Sequence, residues 1–271
     1  MARPRRRFGQ HFLTNTRILD RIAETLDPAP GDRVLEIGPG HGALTRALLA
    51  RLAVITVIEI DRDLVPALRA RFPGIRVIEG DALELDWHQL IDTGCPSEPR
   101  PWHVTGNIPY NITSPLLDKA LSPPRPQRIV FLVQKEVADR VTARPGSREY
   151  GSLTVGVQAV ASAERLFTVP AGAFHPPPRV DSAVILITPL ERPLVPDESI
   201  RTFRRMVTGL FGFRRKQLGR GIRQLTGWPA DRVVELLAQQ ALDPTHRPEV
   251  LTPAQFAALH RGLVDGGWRV G

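Results

Sequence analysis

Residues 107–110 read Asn-Ile-Pro-Tyr, directly after the apolar segment Trp102-His103-Val104-Thr105-Gly106. An amide, a ring-fixed backbone and an aromatic face within four residues can form a holder for a flat base bearing an exocyclic amine. The Asn107 side-chain oxygen can accept a hydrogen bond, as can the carbonyls around Pro109. Tyr110 offers a stacking face. An amine gripped in this way is aimed at an electrophile, which is catalysis by proximity and electrostatic preorganisation. No general base stands out; the proton can leave to water after transfer. Taken singly, Asn107 reads equally as a loop amide capping the next helix, and Tyr110 as a core ring.

A second constellation lies upstream. Glu36-Ile37-Gly38-Pro39-Gly40-His41-Gly42 links a strand pattern to a helix pattern, and its glycines allow a tight turn and close approach of a ligand to the main chain. Gly38, Gly40 and Ala43 satisfy the dinucleotide-type G-x-G-x-x-G/A spacing. Glu59 closes the next strand, 21 residues beyond Gly38, where an acid can bind both ribose hydroxyls. Asp81, within Glu79-Gly80-Asp81-Ala82-Leu83, closes a third strand and can accept from an adenine amine. The glycine loop alone also fits a plain turn or a nicotinamide oxidoreductase. A nicotinamide site has no need of Asp81 followed by Asn-Ile-Pro-Tyr, whereas a site for S-adenosylmethionine uses both.

These residues need a frame that sets them at neighbouring strand ends. Ile18, Leu19, Ile22, Ala23 and Leu26 mark one face of a helix over 15–27, capped by Thr14 or Asn15. Strands are predicted at 33–37, 54–58, 75–79, 102–106 and 128–133, with helices at 42–52, 62–72 and 114–121 between them. That alternation predicts an α/β fold with a doubly wound, Rossmann-like sheet. A helix over 151–161 and strands at 163–169 and 182–188 follow, with three prolines stiffening the loop at 176–178. Pro189, Pro193 and Pro196 then punctuate the chain, and the pattern turns helical. We expect one domain over 1–192 and a small all-α domain over 193–271, with breaks at Gly212, Gly227–Pro229 and Asp243–Pro248.

The 271 residues carry a formal charge of +8. Such an excess points to nucleic acid or another anionic partner. Nearly all the cations are arginine; the lysines are Lys119, Lys135 and Lys216. Arginine forks suit phosphate and stack on bases, although a compositional bias of the source would also enrich them. Cys95, the one cysteine, excludes an internal disulfide and a thiolate zinc site. His103, His175 and His246 lack metal-ligand spacing, and no metal is expected. No apolar run reaches the roughly 18–20 residues of a membrane span. Arg3, Arg5, Arg6 and Arg7 precede no apolar signal core, so the cytoplasm is the expected compartment; separately, a monomer is expected.

Together, Gly38 to Gly42, Glu59, Asp81 and Asn107 to Tyr110 resemble the motifs of class I, S-adenosylmethionine-dependent adenine-N6 methyltransferases. The flanks narrow the resemblance to the ribosomal RNA adenine dimethyltransferases. Gly9-Gln10-His11-Phe12-Leu13 is similar to that family's Gln-Asn-Phe-Leu element, with His11 where the family usually has Asn. Tyr150 to Val155, Phe174 to Ser182 and Phe211 to Leu218 resemble its later motifs, in order along nearly the whole chain. The resemblance implies dimethylation of the N6 amines of two adjacent adenosines near the 3′ end of small-subunit (16S) ribosomal RNA, as a step of subunit biogenesis.

It further implies S-adenosylmethionine held by His11, Leu13, Gly38, Gly40, Glu59, Asp81 and Asn107. Catalysis then falls to Asn107, Pro109 and Tyr110, with Phe174 covering the second face of the base. The sulfonium of that donor is a strong electrophile, so the chemistry calls for no metal. Arg214, Arg215, Lys216 and Arg220 are the expected RNA contacts, with Arg201, Arg204, Arg205 and Arg223 nearby; each alone reads as a solvated charge. The small ribosomal subunit and its RNA are the implied partners. A large-subunit adenine methyltransferase of the antibiotic-resistance type shares Asn-Ile-Pro-Tyr, and a non-catalytic RNA-binding assembly factor shares the fold.

Overall fold

The computed structural model describes residues 11–51, 53–91 and 101–269. Arg3, Arg5, Arg6, Arg7, Gly9, Gln10 and Cys95 lie outside them. After a two-residue strand β1 (Phe12–Leu13), helix α1 (Thr16–Leu26) forms where the spacing predicts it. Asn15 caps it by accepting the Ile18 amide at 3.3 Å. Leu19, Ile22, Ala23 and Leu26 are its buried stripe.

The strand–helix alternation then follows: β2 (Arg33–Ile37), α2 (Ala43–Leu49), β3 (Val54–Glu59), α3 (Val65–Arg71), β4 (Arg76–Glu79), α4 (Trp87–Ile91), β5 (Trp102–Asn107), α5 (Thr113–Ala120) and β6 (Arg128–Gln134). Helices α6 (Lys135–Val141) and α7 (Ser152–Gln158) lead to β7 (Ala161–Val169), β8 (Phe174–His175) and β9 (Ser182–Pro189). The helical region is α8 (Ile200–Gly212), α9 (Leu218–Thr226), α10 (Ala230–Gln239) and α11 (Pro253–Asp265).

The main sheet runs β4-β3-β2-β5-β6-β9-β7. β4 through β6 are parallel, and β9 joins β6 antiparallel, with Phe131 opposite Ile185. β6 carries a continuous apolar run, Ile129 to Val133, and β2 is apolar but for Arg33 and the buried Glu36, because helices cover both faces of such strands; Val34, Leu35, Ile129 and Val130 are fully buried. The order has one consequence for function. The chain winds outward from β2 through β3 to β4, then returns to the other side of β2 as β5. Connections leaving β2 and β5 therefore diverge, opening a crevice at their carboxyl ends. Gly106 lets the two strands close up there, since a β-carbon at that position would lie 2.5 Å from the Ile37 carbonyl oxygen.

Two compact units are present, residues up to 138 with 163–189, and residues 139–162 with 190 onward. This differs from the expected division at 192/193, because 139–162 cluster with the C-terminal helices. The reason is a long-range anchor. Tyr150 is fully buried, its hydroxyl donates to the Leu251 carbonyl at 2.7 Å, and its ring lies edge-on to Phe211. Local periodicity carries no information about a partner about a hundred positions away. The short elements β1, β8, α4 and α6 are likewise too brief to show a period in the sequence. Among the described residues no helix is long and apolar enough to cross a membrane.

Candidate active site at the carboxyl ends of the parallel strands

The glycine turn leaves β2 at Gly38, whose amide donates to the Ile58 carbonyl at 2.9 Å. Gly40 has a φ of +56°, and a β-carbon there would sit 2.7 Å from the Phe12 ring. Only glycine meets both demands without strain. Phe12 lies over the turn and against His41, with ring centroids 4.5 Å apart. What holds Phe12 there is strand pairing: β1 runs antiparallel to β8, with Leu13 opposite Phe174, and the Thr14 amide donates to the Ala173 carbonyl at 3.0 Å.

Two acids stand under the turn. Glu59, 3% exposed, accepts the Gly40 amide on Oε2 at 3.0 Å and the Asp61 amide on Oε1 at 2.8 Å. Burial raises its pKa, and those amides work in the opposite direction. Glu36 is more enclosed. Burial lifts its carboxyl to about 7, offset in part by the Thr45 hydroxyl, which donates at 2.6 Å, while the nearby Glu59 charge adds to the rise. Near neutral pH Glu36 is divided between its acid and its anion.

Asn107 ends β5. Its Nδ2 donates to the His11 carbonyl at 2.7 Å. A carbonyl only accepts, so that bond fixes the amide's orientation and leaves Oδ1 as an acceptor. The same logic assigns the His11 tautomer: Nδ1 lies 2.8 Å from the Pro176 carbonyl and must carry hydrogen, leaving Nε2. The His11 and Tyr110 rings stack at 5.9 Å and 27°. The Tyr110 hydroxyl lies 3.1 Å from Ser182 Oγ; burial raises the phenol's pKa and the Ser182 bond opposes this. The Pro109 carbonyl is taken, accepting the Ile112 amide at 3.2 Å and the Thr113 hydroxyl at 3.3 Å as α5 begins.

Two cavities open in this crevice. The smaller, about 70 Å³, is lined by His11, Phe12, Gly38, Gly40, Glu59, Ile60 and the run Asn107 to Tyr110. The larger, about 300 Å³, is lined by Leu13, Glu36, His41 and Arg46 among others, and shares Phe12, Gly38 and Asn107 with the first. The larger reaches the lower end of the size range of small-ligand sites. Eight of the sequence-predicted residues therefore come together: His11, Leu13, Gly38, Gly40, Glu59, Asn107, Pro109 and Tyr110.

Two expected residues stand apart. Asp81 lies beyond the adjacent strand end, outside both linings, with Oδ1 accepting the Leu83 amide at 2.8 Å. Phe174 was expected to cover a base. It is instead 4% exposed, packed in the core and outside both linings, because its pairing with Leu13 turns it inward. The lining also includes residues to which the sequence gives no site role, among them Phe12, Glu36, Arg46 and Ile60. Ile60 carried a signal, an apolar residue directly after a strand-ending acid, and it remains 45% exposed.

In the helical unit, Arg214 Nε pairs with Glu249 Oε2 at 2.5 Å, and its Nη2 donates to the Arg148 carbonyl at 3.1 Å. That guanidinium ties its own unit together. Arg215 and Arg220 are exposed. Lys216 donates to Gln224 Oε1 at 2.8 Å.

The model of the family described as Ribosomal RNA adenine dimethylase matches residues 1–258. The chain belongs to that family. Ribosomal RNA small subunit methyltransferase A of Acinetobacter baylyi is 42% identical over 265 residues, spanning 96% of this chain and 92% of that protein. The crystal structure of a dimethyladenosine transferase from Plasmodium falciparum is similar at a TM-score of 0.79 and 25% identity, covering 95% of this chain and 99% of that one. The crystal structure of the 23S rRNA methyltransferase ErmE is similar at a TM-score of 0.71 and 29% identity, covering 93% of this chain and 99% of that one. Membership of the adenine dimethylase family makes the chain a methyltransferase of ribosomal RNA adenines, with S-adenosylmethionine as the methyl donor. The expected fold class holds as well, an α/β sheet followed by a C-terminal helical region.

Proposed function

We propose that the chain adds two methyl groups to the N6 amine of each of two adjacent adenosines near the 3′ end of small-subunit (16S) ribosomal RNA, during assembly of that subunit. One observation carries the choice of chemistry. Asn107 lines both cavities and is held by His11 so that only its oxygen is left to accept a hydrogen bond. An acceptor locked in that orientation suits an amine and not a carbonyl.

The residues fit the donor. Gly38 gives bare backbone beside both cavities and Gly40 beside the smaller, Glu59 offers carboxylate lone pairs for ribose hydroxyls in the smaller, and His11 and Leu13 line the smaller and the larger respectively. Asp81 would meet the adenine amine of the donor from the neighbouring strand end. Bound there, S-adenosylmethionine supplies a methyl group on a positively charged sulfur. An adenine amine is a weak nucleophile because its lone pair is delocalised into the ring. Asn107 Oδ1 and a backbone carbonyl would hold its two hydrogens and favour a tetrahedral nitrogen. Since the Pro109 carbonyl is occupied, that second acceptor is the carbonyl of Ile108; Pro109 fixes its direction. Tyr110 stacks on the base, which must leave its helix to arrive. Phe174 contributes by positioning β1 rather than by touching the base.

The larger unit thus performs the transfer. The helical unit contacts RNA through Arg215, Lys216 and Arg220, with Arg214 organising the loop at Arg148 instead of meeting phosphate. The enzyme acts as a cytoplasmic monomer on the small subunit. The higher identity to the small-subunit relative, 42% against 29% for the large-subunit one, supports this target over the rival. The intact Asn107–Tyr110 segment supports activity over a purely structural role. Labelled S-adenosylmethionine should be offered with unmodified small-subunit particles, large-subunit particles and free RNA, and the modified bases mapped. Two methyls on each of two neighbouring adenines of the small-subunit RNA is the expected result. Label confined to large-subunit RNA would overturn the target, and no label anywhere would overturn the chemistry.

A further inference from the structure

Within the helical unit, α9 and the turn behind it frame an open depression of about 450 Å³ lined by Lys216, Arg220, Arg223, Gln224, Gly227 and Trp228. No carboxylate lines it. Arg220 and Arg223 stand three positions apart, on one face of the helix. Lys216 spends one ammonium hydrogen on Gln224 Oε1, leaving two. These cations alone would take any polyanion.

Trp228 makes the depression more selective. Gly227 ends α9 in the left-handed region at φ +73°, and its amide donates to the Arg223 carbonyl at 2.8 Å, so the chain doubles back and sets the indole beside the cations. The indole is then held from behind. The Arg232 guanidinium lies 3.8 Å from its ring centroid and is itself bonded to the Gly266 carbonyl. At the ring edge, a β-carbon on Gly266 would come within 2.7 Å of Cη2. The other three tryptophans, Trp87, Trp102 and Trp268, are at most 9% exposed. Trp228 is the one indole that is not buried, and its surface forms part of the depression.

We infer that this depression is a second nucleotide site, where an unpaired RNA base stacks on Trp228 while Arg220, Arg223 and Lys216 hold the flanking phosphates. A rigid flat apolar face among cations matches a nucleobase on a phosphodiester backbone. It offers nothing extra to a bare polyanion, and a base inside a duplex has no free face to present. The inference rests on the reading of this chain as an RNA-modifying enzyme, and adds a place and a chemistry for one contact outside the adenine crevice.

The difference in emission between the natural chain and Trp228→Ala isolates the Trp228 signal from the other three tryptophans, and displacement of a labelled RNA oligomer gives the affinities of every variant. The full chain should be titrated with a single-stranded RNA oligomer, an abasic oligomer of equal charge, the matching duplex and inorganic polyphosphate. The single strand should quench the indole and bind about tenfold more tightly than the abasic strand. Trp228→Ala should erase that difference, and Trp228→Tyr should keep most of it, which separates lost stacking from lost folding. Equal binding of single strand, abasic strand and polyphosphate, or an unchanged preference in Trp228→Ala, would overturn the inference. Methylation of small-subunit RNA by the same preparation tells the two failures apart: if it proceeds, only the stacking site falls; if it does not, the RNA reading falls too.

Discussion

The strand-end crevice and the basic residues of the helical unit are built in opposite ways. In the crevice the polar side chains are oriented by bonds to the backbone. Glu59 spends both oxygens on backbone amides, Asn107 is oriented by His11, and His11 is oriented by Pro176. On the helical face Arg215, Arg220 and Arg223 are exposed, and the part proposed for them is one of charge. Arg214 crosses the divide: it belongs to the basic run in sequence, yet it is paired with Glu249 and bonded to the Arg148 carbonyl. Adjacent residues of one type can therefore differ in role, and only their partners tell which is which.

The sharpest way to break that contrast is Asn107→Ala. Loss of one preorganised polar partner typically costs about 10²–10³ in kcat, and single-turnover methyl transfer on small-subunit particles should fall by that order. An undiminished rate in a folded, donor-binding variant would mean that the crevice is not organised as described.

Next in size is the pH response of Glu36. Its folded value of about 7 lies above its ordinary 4.5, so the native state holds a proton that the unfolded chain has lost. Stability is then full below pH 4.5 and declines as pH climbs towards 7, by on the order of 3 kcal/mol. Glu36→Gln keeps the amide oxygen for Thr45 and should flatten that slope in denaturant melts run from pH 4.5 to 8. Parallel curves for the two proteins would show that the carboxyl is not held neutral.

A milder test separates the neighbours Arg214 and Arg215. Arg215→Glu should weaken RNA binding by roughly tenfold at low salt and reduce the salt slope by about 1–2, leaving the melting point unmoved. Arg214→Ala should instead lower the melting point, since it strands Glu249 and frees the Arg148 loop. Identical behaviour of the two would erase the distinction between charge and architecture. The smallest effect belongs to Tyr110→Phe. The ring stays for stacking and only the Ser182 bond goes, so stability should drop by about 0.5–1.5 kcal/mol with kcat nearly intact. A large loss of kcat would give the hydroxyl a chemical role.

Much of this molecule is written locally. Strands β2, β3, β5 and β6 are largely apolar between their polar ends, with single buried polar residues such as Glu36 and Thr105, and the buried stripe of α1 recurs at helical spacing, because burial on both sheet faces or on one helix face leaves those patterns in the chain. The glycine turn, the strand-ending Glu59 and the Asn107–Tyr110 segment were legible for the same reason: each is a short stretch whose backbone demands and side-chain chemistry sit side by side. Strands of two residues leave no period, so the β1·β8 pair that carries Phe12 across the glycine turn did not show.

What tertiary structure alone decided is which of these pieces meet. It turned Phe174 into the core, set Asp81 outside the two cavities, and joined Tyr150 to Leu251 across about a hundred residues. It also fixed which atom of Asn107 remains available and which arginine is already spoken for. Residue types and spacings determine what a segment can do with its own backbone. Partners distant in sequence are chosen by packing and by the need to satisfy every buried polar group, and those are properties of the assembled fold.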